Sequence, residues 1–171
     1  MNTFERYFLA ANKWALILML TAMAVIVFAN VTLRYLTNFS ITWAEEVARY
    51  LMIWMTFLGA GLVLRTGGHV AIANFQEMLS VPMQRLVRIL ILGLLIAFSV
   101  VMAWMGYDYM SRMSIQVTPA TRISFMYIYA AMPIGFVLLI VHFLLIAKNF
   151  VLHHRFDESE PDIAVQSIAV G

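Results

Sequence analysis

The chain has 171 residues, of which 63% are hydrophobic and 12% charged, and its mean hydropathy is +0.87. Soluble domains are about 45–50% apolar and about 25% charged, so these values exclude a water-soluble core and define an integral membrane protein. A net charge of +2 gives no basis for a nucleic-acid partner, and the absence of cysteine excludes disulfides, thiolate nucleophiles and Cys-ligated metals.

Met1–Lys13 reads as a short amphipathic lead-in carrying Arg6 and Lys13. No charge occurs from Trp14 to Leu33. At about 1.5 Å per residue such a run crosses the roughly 30 Å hydrocarbon layer. Ala22-Met23-Ala24 resembles a signal-peptide cleavage site, but Val25–Val31 stays as apolar as what precedes it, so an uncleaved first span is expected. Arg34–Ile41 is a short connection, which makes the first two spans an antiparallel hairpin.

The second span follows Ser40. Thr42 and Glu45 have capping-box spacing, and Glu45 precedes Arg49 by four residues, the favourable order for a helical ion pair. The apolar run ends at Arg65-Thr66-Gly67-Gly68, where Gly67 can take the left-handed helix stop. His69–Ser80 has amphipathic spacing and is expected as a short helix lying in the interface plane. Ser80-Val81-Pro82 then caps a third span, uncharged from Ile89 to Tyr107. Gly93-x-x-x-Ala97 and Ser99-x-x-x-Ala103 put small residues on faces that another helix can approach.

Asp108–Ser124 is the most polar internal segment, bent at Thr118-Pro119. The fourth span, Phe125–Ala147, carries Pro133, which should kink it, and a further close-packing pair in Ala131-x-x-x-Gly135. The tail after Asn149 is acidic and without apolar period.

The expected fold is therefore all-α: four transmembrane helices at about 14–36, 43–65, 86–107 and 124–147, within a membrane unit 1–149, followed by a mobile tail 150–171. Arg6, Lys13, Arg65, Arg85, Arg88, Lys148 and Arg155 fall on the side of the termini, against Arg34, Arg49, Arg112 and Arg122 on the other. The positive-inside rule then places both termini in the cytoplasm.

No phosphate-binding loop, nucleophile elbow or zincin motif occurs, so no enzyme, catalytic residue, cofactor site or metal site is expected. His142 is the one ionisable side chain, tyrosines apart, deep within an apolar run; a satisfied or interface-facing histidine is favoured over a proton relay. His69 and His142 are the only candidate haem ligands within reach of the membrane, and His153-His154 suggests at most weak metal capture. The strongest polar constellation is Glu45, Glu46 and Arg49 with Arg34 nearby, as solvated interfacial charges or as a contact with a partner protein. A stand-alone four-helix transporter and a haem- or quinone-binding anchor remain as alternative functions.

Phe28-Ala29-Asn30-Val31-Thr32-Leu33-Arg34-Tyr35, Ile41-Thr42-Trp43-Ala44-Glu45-Glu46, Arg49-Tyr50-Leu51, Trp54 and Phe57-Leu58-Gly59-Ala60 resemble the small membrane subunit of tripartite ATP-independent periplasmic (TRAP) transporters, the DctQ-like family. Arg65-x-x-Gly68-His69, Gln116-x-Thr118-Pro119-Ala120 and Tyr129-Ala130-x-Met132-Pro133-Ile134-Gly135 extend the resemblance over about Arg6 to Asn149. It implies a bacterial inner-membrane scaffold without catalysis of its own, surrounded by membrane lipids. The scaffold anchors a large DctM-like subunit, expected as a separate chain, which moves an organic acid by a sodium-coupled elevator motion. A DctP-like periplasmic binding protein delivers that acid, of C4-dicarboxylate or sialic acid type. By position, the resemblance implies partner-interface contacts at Arg34, Trp43, Glu45, Glu46, Arg49 and His69, and a periplasmic face at Asp108, Arg112 and Arg122.

Overall fold

The computed structural model describes residues 3–65 and 81–153, with side chains described to residue 147. The expectations at Gly67, His69, Ser80, the 70–80 segment, His153-His154 and the tail lie outside these limits. The described residues form five helices: α1 Thr3–Thr37, α2 Ala44–Arg65, α3 Val81–Arg112, α4 Phe125–Tyr129 and α5 Ala131–His153. Four stretches are long and apolar enough to cross a membrane, with α4 and α5 together supplying the fourth.

The helices stand in an open row. α1 packs on α2, α2 on α5 and α5 on α3, while α1 has no comparable seam with α3. The outer members are the long ones, 35 residues in α1 and 32 in α3, against 22 in α2 and 23 in α5. The expected lead-in is not a separate piece: α1 runs unbroken from Thr3 and projects about 16 Å beyond Trp14, at about 1.5 Å per residue. No helix breaker occurs between Thr3 and Thr37, so nothing in the chain stops it at Lys13.

Small residues set the seams. A methyl group on Gly135 would lie 2.6 Å from Phe57 Cβ and 2.9 Å from the Phe57 carbonyl oxygen, so α5 and α2 touch nearly backbone to backbone there. Ala131, on the same face, is fully buried. Ser99 is buried too, its hydroxyl turned back to the Leu95 carbonyl at 2.7 Å, which leaves no polar group open at the seam. Gly93-x-x-x-Ala97 behaves otherwise, since nothing lies within 4 Å of a Gly93 methyl and Ala97 is exposed. An apolar cluster of Leu64, Phe143 and Ile146, flanked by Leu92, Leu95, Ile96 and Leu139, closes the row at the end that holds Arg65.

The fourth span breaks where the sequence places its proline. Pro133 has no N–H for the Tyr129 carbonyl, and the helix is interrupted at Ala130 before Ile134 N–H resumes bonding to the Ala130 carbonyl at 3.2 Å. The start of α2 differs from expectation. Trp43, not Thr42, is the cap: its carbonyl accepts from Val47 N–H at 3.0 Å. Thr42 thereby stands one residue outside the helix, and no reciprocal Thr42–Glu45 pair forms among the described residues.

Candidate functional site

Two polar constellations lie at opposite ends of the row. At the end shared by the start of α1, the end of α2 and the later part of α5, Glu5, Asn12, Arg65 and His142 form one connected cluster. Glu5, Phe8 and Asn12 recur at steps of three and four and so share a face of α1. Arg65 Nη1 donates to Glu5 Oε1 at 2.6 Å, with the Arg65 side chain 4% and the Glu5 side chain 17% exposed. Arg65 Nε donates to His142 Nδ1 at 3.1 Å. Asn12 Nδ2 lies 3.2 Å from the Leu58 carbonyl and 3.3 Å from His142 Nε2. Phe8 tilts against the imidazole at 5.0 Å, and Gly61 provides the room, since a methyl group there would sit 2.1 Å from His142 Cδ2.

The protons in this cluster can be assigned from donor chemistry. A guanidinium only donates, so His142 Nδ1 holds a lone pair and the ring proton of the neutral imidazole sits on Nε2. Asn12 cannot serve both of its neighbours in one orientation, because the Leu58 carbonyl needs its nitrogen and Nε2–H needs its oxygen. Among the described residues donors thus outnumber acceptors, and Arg65 Nη2 is buried with no hydrogen-bond partner there. The arrangement suits a fixed fastening of three helices. It is ill-suited to proton relay or haem ligation, since both imidazole nitrogens face side chains.

At the other end, Glu46 reaches from the first turn of α2 to the loop between α3 and α4. Its carboxylate accepts from Ala120 N–H, Thr121 N–H and the Thr121 hydroxyl, each at 2.9 Å. The loop is a small hairpin pinned by Thr118 N–H to the Ile123 carbonyl and Phe125 N–H to the Gln116 carbonyl, both 2.9 Å. Thr118 is fully buried, its hydroxyl 2.7 Å from that of Thr121. Arg122 holds a positive φ of 56° at the tip, and Ser124 caps α4 by accepting from Met126 N–H at 3.2 Å. Beside it, buried Asn30 fixes the α1–α2 turn by accepting from Ile41 N–H at 2.7 Å.

Of the residues singled out from sequence, Glu46 is drawn into this clip, while Glu45 and Arg49 are exposed and form no ion pair with each other. Arg34 stacks on Tyr35 at 5.8 Å and joins neither acid; Trp43 is exposed as the α2 cap. Asp108 and Arg112 pair at 2.9 Å on the exposed end of α3. His69 lies outside the described residues. Glu5 and Asn12 were not singled out, and Arg65 was assigned only to a helix end. The signal was present in the Glu5-x-x-Phe8-x-x-x-Asn12 spacing, which puts an acid and an amide on one face just ahead of a span. Among the described residues no cluster of three metal-ligating side chains occurs.

Four apolar helices whose charges gather at their ends define a multi-pass helical membrane protein. The profile of the DctQ component of tripartite ATP-independent periplasmic transporters matches residues 23–151. The chain belongs to this family, whose members are transport components and not enzymes. Over 53 residues it is 47% identical to a putative TRAP transporter small permease protein of Haemophilus influenzae, covering 31% of this chain and 33% of that one. Over 117 residues it is 30% identical to the C4-dicarboxylate TRAP transporter small permease protein DctQ of Rhodobacter capsulatus, covering 67% and 52%. It also aligns at 24% identity with the isethionate TRAP transporter permease protein DctMQ of Oleidesulfovibrio alaskensis, over 82% of this chain and 22% of that one. The chain spans between a third and about half of the length of the first two relatives.

Proposed function

We propose that this chain is the small permease subunit of a TRAP transporter in the bacterial inner membrane. It anchors a large DctM-like subunit during sodium-coupled uptake of an organic acid delivered by a DctP-like binding protein. The observation that carries the proposal is the family match over 23–151, which takes in α2, α3, α4, nearly all of α5 and the second part of α1. The structure agrees in kind. An open row of spans offers broad faces to a neighbour, and its one deep histidine is engaged in a fixed cluster instead of lining a path. Relatives named for C4-dicarboxylate and isethionate transport support an organic anion as the substrate class. In this scheme the Glu46-held hairpin, with Asp108, Arg112 and Arg122, faces the periplasm, and 1–149 is the membrane unit.

The test is mild-detergent purification of the tagged chain from its native membranes, followed by anion uptake in proteoliposomes. A large polytopic partner in near-equal amount, with uptake requiring both chains, sodium and a binding protein, is the expected result. Transport by this chain alone would reject the proposal.

A further inference from the structure

Between Glu45 and Ala60, the exposed residues of α2 are Glu45, Arg49, Met52, Thr56 and Ala60, at steps of three and four. They form one stripe of about 22 Å, most of the depth of the hydrocarbon layer. The other interior helix, α5, is a natural contrast, because its exposed residues up to Leu144 are Ile134, Val137 and Leu144, all aliphatic. Edge helix α3 turns Leu90, Leu94 and Phe98 outward, with the small Gly93 and Ala97 among them but no charge. Bulky aliphatic faces are at ease against lipid tails. The α2 stripe instead carries two charges at its mouth and small residues at depth, the composition of a helix–helix contact in a membrane.

Two details sharpen this. Glu45 and Arg49 are spaced for mutual pairing yet make no ion pair or hydrogen bond among the described residues, so both remain available to an outside partner. The Thr56 hydroxyl is spent on the Met52 carbonyl at 2.8 Å, so Thr56 and Ala60 together present small exposed side chains with no unmet donor.

We infer that the α2 stripe seats one transmembrane helix of the large permease subunit. This rests on the function proposed above. The occupying helix brings opposite charges to Glu45 and Arg49 and lays a bulky apolar side chain over Thr56 and Ala60. The occupant is suggested by the DctMQ relative, in which the aligned unit is 22% of a longer permease. Lipid covers this face poorly, since flexible tails gain little from small side chains that a rigid helix can approach closely.

The test is site-specific photo-crosslinking in native membranes that contain both subunits, with p-benzoylphenylalanine at Met52 or Ala60 and, for comparison, at Val137 or Leu144. Adducts to the large subunit from α2 and not from α5 are expected. In parallel, Ala60→Trp should lower recovery of the large subunit about tenfold, as loss of one close helix contact would, while Val137→Trp changes it little. Both substituted side chains are exposed, and recovery of the variant chain itself from the membrane controls for folding. Adducts from α5 alone, adducts between two copies of this chain, or unchanged recovery with Ala60→Trp would each overturn the assignment of this face. Those results leave the function standing if the wild-type pair still co-purifies. If no polytopic partner accompanies the wild-type chain, the function and the face fall together.

Discussion

At Gly61 one hydrogen in place of a methyl group decides whether His142 can occupy its site. A methyl there meets the imidazole at 2.1 Å, and the ring is held on its other sides by Arg65, Asn12 and Phe8. Gly61→Ala should therefore lower stability by about 1–3 kcal/mol through overpacking, read as a lower thermal midpoint in detergent. Arg65→Met leaves Glu5 in a largely enclosed site without its partner, and breaking such a pair costs about 3–5 kcal/mol. The double variant Glu5→Gln with Arg65→Met should be the more stable of the two, because no unpaired charge remains. If the double is worse than the single, the Glu5–Arg65 contact is not what holds the cluster. Glu46 is a different case. It is only half-buried, and Glu46→Ala should act locally, freeing Ala120 and Thr121 so that a cysteine placed at Ala120 reacts faster with a maleimide.

The elements show which sequence signals survive folding. Span positions follow from runs without charge, and all four are helical. The Pro133 interruption was readable because a missing N–H acts within one turn, whatever surrounds it. The hairpin of α1 and α2 was readable from the short link, but not that Asn30 tethers it, since a lone asparagine in a span has many fates. Asn30→Leu would strip Ile41 N–H of its acceptor and should cost about 1–3 kcal/mol, again seen in thermal unfolding. The Thr42–Glu45 capping box did not form because the helix starts one residue later, and the Glu45–Arg49 pair did not form either. Both expectations rest on local terms of a few tenths to about 1 kcal/mol, which the docking of the hairpin loop on Glu46 can override.

For the whole molecule, the open row means that the two interior helices each keep a face for something outside this chain. The proposed orientation has a direct check. A cysteine at Ser114 should react with an impermeant maleimide added from the periplasmic side, and one at Thr3 only after permeabilisation. The reverse pattern would invert the topology and remove the hairpin from the binding protein's side. The sequence by itself determined the membrane class, the number of spans, the proline break and the family, because each depends on composition or on order along the chain. Only the tertiary structure decided the row order α1–α2–α5–α3, the gathering of Glu5, Asn12, Arg65 and His142, and the stripe that α2 leaves open. Those depend on which faces of separate helices meet, and in a bilayer that choice rests on shape and a few polar contacts, with almost no apolar contrast in the sequence to report it.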